Sequence, residues 1–93
     1  MTSEKMLQII EAYRSLFEIL GIQPQYFEHD ELTGPDDEVD VLAHCFGMLS
    51  KMETFIAEGR IEKAMRWLGF IQGCLFACSL LTIEELKEHS RPD

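Results

Sequence analysis

The chain has 93 residues, of which 46% are hydrophobic, and its formal net charge at pH 7 is −9. This length suits one domain with a modest core, and the apolar excess predicts a surface that contacts a partner. Residues 1–50 contain ten acids and only two bases, which argues against direct nucleic-acid binding because phosphate neutralisation needs a basic surface.

Targeting and redox signals are also informative. The most apolar stretch, residues 67–81, contains Gln72 and falls short of the roughly 18 apolar residues of a membrane span. The N-terminus lacks the basic region and apolar core of a signal peptide. Three cysteines, Cys45, Cys74 and Cys78, lie within apolar patterns, as packed and reduced thiols do. We therefore expect a cytoplasmic protein with no membrane contact.

The first predicted element is an amphipathic helix over residues 4–20, because its apolar side chains recur at helical spacing. Gly21 is a typical C-terminal cap, and Pro24 predicts that the helix does not continue. Residues 21–35 show no period and predict a connecting loop, in which Tyr26 and Phe27 contact the core.

A second helix is predicted over residues 36–57. Pro35 suits the entry to a first turn, and the acids that follow it complement the positive end of the helix dipole. Gly59 predicts a tight turn. A third helix over residues 61–79 then runs antiparallel to the second and forms a helical hairpin with it.

The last predicted element is a short helix over residues 83–89. Thr82 and Glu85 have the spacing of a capping box at its start. Together these elements predict an all-α fold: a three-helix antiparallel bundle, or helical hairpin, with a short C-terminal fourth helix. We expect residues 1–93 to form a single helical domain that assembles into a homo-oligomer through the third helix.

The third helix has Gly69, Gly73 and Ala77 on one face. Each interior glycine costs about 1 kcal/mol of helix propensity relative to alanine, so the pair requires a reason. We expect the first helix or a second copy to pack closely there; the alternatives are a ligand seat with Arg66 as a fixed cation, and a local bend. Gln72 is expected to fix the register of an interface. The predicted core residues of this helix are Ile61, Ala64, Met65, Leu68, Ile71 and Leu75, and no side is expected to remain for solvent.

Basic and aromatic side chains cluster near the start of the third helix, at Arg60, Lys63, Arg66 and Trp67. Cations beside a ring can hold a nucleotide by charge and stacking. The alternative is that the bases neutralise nearby acids and Trp67 fills an interface. The predicted oligomer or ligand contact, which we call the glycine notch, comprises Lys63, Arg66, Trp67, Gly69, Gln72, Gly73 and Ala77.

Metal and catalytic chemistry have weaker support. Cys74 and Cys78 are four residues apart on one helix face, and Cys45 and His44 would complete a tetrahedral site. The sequence lacks the short loops with closely spaced ligand pairs that zinc sites use, so we expect core packing. Neither His44 nor His29 has a nucleophile and an orienting acid nearby in sequence. We expect no metal, no cofactor and no enzymatic activity.

An acidic stretch, EHDELTGPDDEVD at residues 28–40, contains seven acids and no base. Such a run is usually a solvated loop and helix start. Its functional interpretation is a docking edge for a host protein with a basic surface, in imitation of nucleic-acid phosphates. The predicted partner-binding residues are Glu28, Asp30, Glu31, Asp36, Asp37 and Asp40.

The last third of the chain resembles small helical proteins of unassigned function that bacteriophages and prophages encode. The likeness lies in RWLGFIQG at residues 66–73, TIEELK at residues 82–87 and the Arg-Pro pair at residues 91–92. Where this chain has Phe76 and Cys78, those proteins are expected to have a Trp and a small residue. The resemblance implies an accessory protein that acts inside a bacterial cell.

The hairpin over residues 37–79 is also similar in layout to the helical hairpins of phage proteins that sequester cyclic nucleotide signals of bacterial immunity. That likeness rests on the layout and on the pattern Arg66, Trp67, Gln72 and Gly73. We expect a non-catalytic, phage-type accessory protein that inhibits a host defence or nucleic-acid enzyme through its acidic surface, a counter-defence role. The alternative is an oligomeric sponge for a nucleotide immune signal.

Overall fold

The computed structural model describes residues 1–26 and 38–89 of the chain. Every secondary-structure element in these ranges is a helix, which confirms the predicted all-α class. The four helices, in chain order, are α1 (Ser3–Ile19), α2 (Glu38–Ala57), α3 (Ile61–Ala77) and α4 (Ile83–His89). The ends of α1, α3 and α4 and the C-terminal end of α2 lie within two residues of the predicted bounds, whereas the predicted start of the second helix at residue 36 lies outside the described residues.

Local chemistry accounts for the helix ends. The Thr2 hydroxyl accepts a hydrogen bond from the backbone N–H of Lys5 at 3.0 Å and caps α1. Gly21 and Gly59 follow α1 and α2 with φ of +73° and +78°, the left-handed conformation that glycine adopts without strain. The chain therefore turns where the sequence predicts it.

The core lies among α1, α2 and α3. Phe17 of α1 stacks on Phe46 of α2 with ring centroids 5.3 Å apart, and Arg14 pairs with Glu53 at 2.5 Å. Because the lower-numbered α1 residue contacts the higher-numbered α2 residue, α1 and α2 run antiparallel. The most deeply buried side chains are Met6, Ile10, Tyr13, Phe17, Cys45, Leu49, Met52, Ile71 and Leu75.

A buried hydrogen-bond cluster joins α1 to α3 and α4. Gln72 Nε2 donates to the Tyr13 hydroxyl at 3.2 Å, and that hydroxyl lies 2.9 Å from Nδ1 of His89. Burial raises the pKa of Tyr13 above its usual value. Gln72 thus links α3 to α1 within the chain, and its predicted role at an interface stays a prediction.

The predicted capping box of α4 is confirmed. The Thr82 backbone N–H donates to Glu85 Oε1 at 3.0 Å, and the Glu85 backbone N–H donates to the Thr82 hydroxyl at 3.1 Å. These bonds lower the pKa of Glu85, because hydrogen bonds to a carboxylate favour its charged form. The short helix therefore has a defined start.

One expectation about α3 is wrong. This helix was expected to leave no side for solvent, with Met65 in the core, yet Met65 is 43% exposed and Phe70 and Phe76 are 51% and 48% exposed. The cause is the packing of α1, which lies mainly against α2 and leaves the outer side of α3 uncovered. No helix in residues 1–26 or 38–89 is long and apolar enough to cross a membrane.

Candidate ligand-binding groove

The residues of the predicted glycine notch fall on three different sides of α3. Lys63, Arg66 and Trp67 lie beside α2 and the segment that follows α1. Gln72 turns inward to Tyr13. Gly69, Gly73 and Ala77 are exposed on the outer side, so the structure does not bring the seven residues together.

Gly47, in the middle of α2, allows the segment after α1 to lie directly on the helix. A Cβ atom at Gly47 would stand 2.8 Å from the Tyr26 backbone nitrogen and 2.9 Å from the Gln25 carbonyl carbon. The Gln25 N–H donates to the Ala43 carbonyl oxygen at 3.0 Å. This backbone contact holds the Tyr26 ring at the seam between α2 and α3.

Five rings form a connected row along that seam. Tyr26 stacks on His44 with centroids 5.0 Å apart, and it lies nearly parallel to Trp67, at 6.1 Å and 8°. Phe55 meets the Trp67 ring edge-on at 4.8 Å, and Phe70 meets His44 edge-on at 6.2 Å. Burial lowers the pKa of His44, which keeps its ring neutral at pH 7. The row thus presents apolar faces.

Two cavities adjoin the row and share Tyr26 and Trp67 as walls; together they form what we call the aromatic groove. The first, the lysine cavity, has a volume of about 400 Å³ and is lined by Tyr26, Lys51, Thr54, Phe55, Lys63 and Trp67. The second, the arginine cavity, has a volume of about 370 Å³ and is lined by Tyr26, His44, Met48, Arg66, Trp67 and Phe70. Both volumes lie in the range of small-molecule sites.

The lysines of the groove lie over its rings. Lys51 Nζ is 4.6 Å from the Tyr26 ring centroid, while Lys63 Nζ is 4.6 Å from that of Phe55 and 5.9 Å from that of Trp67. Such cation–π contacts hold an ammonium group in place. Two like charges are therefore held at the edge of one cavity.

The groove is basic although the chain is acidic. Four of the eight Lys and Arg residues, at positions 51, 60, 63 and 66, lie in or beside it. Arg60 approaches Glu58 at 3.8 Å. No carboxylate in the part of the chain that the structure describes forms an ion pair with Lys51, Lys63 or Arg66. Of the described residues, those that line the two cavities include three cations and no carboxylate, which favours an anion there.

The outer face of α3 is open. A Cβ atom added at Gly69 or Gly73 would meet no atom of the described chain within 4 Å. The expectation that the first helix packs on these glycines is therefore wrong, because α1 lies mainly on α2. Packing of a second copy on this face stays a prediction.

Of the six predicted partner-binding residues of the acidic stretch, one lies among the described residues. Glu28, Asp30, Glu31, Asp36 and Asp37 lie outside the described residues. Asp40 lies in the first turn of α2 and is half-buried.

The cysteines pack at the junction of α2 and α3. A hydrogen bond between the Cys45 and Cys74 thiols raises the pKa of Cys45, as does burial, and lowers that of Cys74 to about 7. Burial raises the pKa of Cys78. Within residues 1–26 and 38–89, no group of three or more His, Cys, Asp or Glu side chains is arranged to hold a metal ion.

Iodoacetamide at about pH 7.5 is expected to alkylate Cys74 before Cys45, because the thiolate is the reactive form and Cys74 holds more of it. Cys74 and Cys78 share the tryptic peptide 67–87, so tandem mass spectrometry, which locates the label on one of the two thiols, gives the order. The labelling of Cys74 should slow several-fold at about pH 6. Cys78, the C-cap residue of α3, is the comparison site. Faster labelling of Cys45 or Cys78 would contradict the assignment.

Sequence reasoning found Lys63, Arg66 and Trp67 but missed the other wall of the groove, formed by Tyr26, Lys51, Thr54, Phe55 and Gly47. One signal was present: Lys51 and Phe55 repeat on α2 the spacing of four residues that Lys63 and Trp67 have on α3.

The chain matches no known protein family, and neither the curated proteins nor the solved structures show a significant similarity to it.

Proposed function

We propose that the protein is a non-catalytic binding protein that captures a nucleotide in the aromatic groove. The observation that carries the proposal is the joint placement of three basic side chains, Lys51, Lys63 and Arg66, around the stacked Tyr26–Trp67 pair. A nucleotide combines phosphate charge with a flat ring, and these are the two features that cations and aromatic faces bind.

The cation–π contacts favour ligand binding. An ammonium group over a ring is attracted to the ring face, but its three N–H donors are not used up by conventional acceptors there. Lys51 and Lys63 can therefore donate to phosphate oxygens from positions that are already fixed. Fixed cations lose less side-chain entropy when the ligand binds.

The side chains of the groove suit capture rather than turnover. His44 is a neutral ring that stacks on Tyr26, and the Thr54 hydroxyl donates to the Ser50 carbonyl oxygen at 3.4 Å. A nucleophile needs a base within hydrogen-bond reach, and this hydroxyl donates to a backbone carbonyl instead. The resemblance to phage-encoded proteins makes sequestration of a nucleotide signal in a bacterial host the cellular role that we propose.

The first test is titration of the full chain with nucleoside monophosphates by calorimetry. Lys63→Gln is expected to weaken binding roughly 10-fold, because it removes a charge-assisted hydrogen bond to phosphate. Lys87→Gln is the matched control, since Lys87 is an exposed lysine of α4 that lies 3.9 Å from Glu84 and lines neither cavity. Failure of all four common monophosphates to bind the parent at millimolar concentration would refute the proposal.

A second candidate function, inhibition of a host protein through the acidic surface, has one supporting observation. Residues 1–50 contain ten acids and two bases, and one of those bases, Arg14, is paired with Glu11 and Glu53. Replacing Asp36, Asp37 and Asp40 by Asn is expected to abolish capture of such a partner and to leave nucleotide binding intact. Arg66→Ala is expected to weaken nucleotide binding and to leave capture of such a partner intact.

A further inference from the structure

The two cavities of the aromatic groove differ in chemistry. The lysine cavity has two ammonium groups, on Lys51 and Lys63, together with a threonine hydroxyl. In the arginine cavity the one cationic group is the guanidinium of Arg66, and Met48 and the rings of Trp67 and Phe70 form apolar walls. The first cavity thus concentrates charge, and the second combines flat ring surfaces with one guanidinium.

This difference indicates which end of a nucleotide binds in which cavity. A phosphate is bound best by compact point charges, and two of them border the lysine cavity. A base is bound best by ring faces. Phe70 offers such a face at the rim of the arginine cavity, where half of its surface is exposed. Tyr26 and Trp67 are walls of both cavities, so the two cavities are neighbours.

Arg66 adds base selectivity. A guanidinium donates two parallel N–H groups, and guanine presents two neighbouring acceptors, O6 and N7, on one edge. Adenine presents N7 beside an amino group, which is itself a donor and cannot accept from arginine. The His44 ring also lines this cavity and stacks on Tyr26, and burial lowers its pKa, which disfavours a competing positive charge.

We infer that the aromatic groove selects a guanine mononucleotide, with the base in the arginine cavity and the phosphate in the lysine cavity. This inference rests on the proposed function and names its ligand class. In this arrangement Arg66 recognises the base, while Lys51 and Lys63 bind the phosphate. Substitutions at Arg66 and at the lysines therefore have different effects on nucleotide affinity.

The test is a calorimetric comparison of GMP, AMP, guanosine and inorganic phosphate on the full-length chain. The parent is expected to bind GMP at least about 10-fold more tightly than AMP, the discrimination of one bidentate arginine–guanine contact. Arg66→Gln is expected to remove that preference by weakening GMP far more than AMP. Lys63→Gln should instead weaken GMP and AMP by the same factor, and guanosine less than either.

The Arg66→Lys variant separates base reading from general charge. It keeps the positive charge but loses the planar fork, so it should fail to restore the preference for GMP. If Arg66→Lys kept the preference for GMP, the inference would be wrong. Equal affinity of the parent for GMP and AMP would also overturn the inference, but it would leave the proposed function standing. Inorganic phosphate bound as tightly as GMP would overturn it too. Absence of binding by every mononucleotide would overturn both proposals.

Discussion

Alanine at Gly47 is expected to lower the free energy of unfolding by up to about 2 kcal/mol, because an extra methyl group forced into a packed site costs about 1–3 kcal/mol and the helix propensity of alanine returns about 1 kcal/mol. The added Cβ atom would stand 2.8 Å from a backbone nitrogen, at Tyr26, and no rotamer change can move that atom away. The segment after α1 must shift, which also weakens the hydrogen bond from Gln25 to Ala43. This loss exceeds the helix propensity that alanine gains.

The same displacement should be visible in the groove. Trp67 is the single tryptophan of the chain, and the Tyr26 ring lies parallel to it at 6.1 Å. When Tyr26 moves away, the Trp67 ring gains contact with water, so its fluorescence emission is expected to shift to longer wavelength in Gly47→Ala. Mononucleotide affinity should fall as well, because Tyr26 is a wall of both cavities.

Gly69→Ala is the matched control, since it makes the same chemical change within a helix but adds its methyl group to open space. Urea denaturation measures both stabilities, and emission spectra are recorded under native conditions. The control is expected to be at least as stable as the parent, with unchanged emission. A Gly47→Ala protein with parental stability and parental emission would show that the segment does not rest on α2 as described.

The contrast between these glycines shows what the sequence could and could not predict. Gly69 and Gly73 attract attention because they share one face of a periodic helix, and local spacing is visible in sequence. Gly47 has no such signature, because its role depends on Gln25 and Tyr26, which contact it only after the chain folds back. A close approach between distant segments leaves no period to detect.

The same reasoning explains why the helices could be predicted from the sequence and the groove only in part. Caps and amphipathic periods are local, so the bounds of the helices and the Thr82–Glu85 capping box could be predicted. The period of α3 correctly showed an apolar arc, but it did not show how much of that arc other helices cover, and Met65 is consequently exposed. The groove joins Lys63 on α3 to Lys51 on α2, a pairing that only tertiary structure supplies.

Replacing Gly69 and Gly73 together by alanine is expected to stabilise the isolated chain by about 2 kcal/mol, since each helical glycine costs about 1 kcal/mol relative to alanine. Both Cβ positions are open in the described chain, so no clash offsets this gain. For a domain of this size the melting temperature should rise by roughly 10 °C. Thermal unfolding at a protein concentration low enough to keep the chain monomeric measures the effect.

The value of this variant lies in comparing stability with self-association. Gly69 and Gly73 cost helix propensity and touch nothing among the described residues. The predicted second copy on the outer face of α3 would account for them, because small residues let two helices approach closely. Sedimentation velocity on the double variant is therefore expected to show weaker association than the parent, despite the more stable fold. If the variant is stabilised and associates as the parent does, the glycine face is not the contact between copies. If the dilute variant is less stable than the parent, part of the chain covers this face, and the description of α3 as open on this side is wrong.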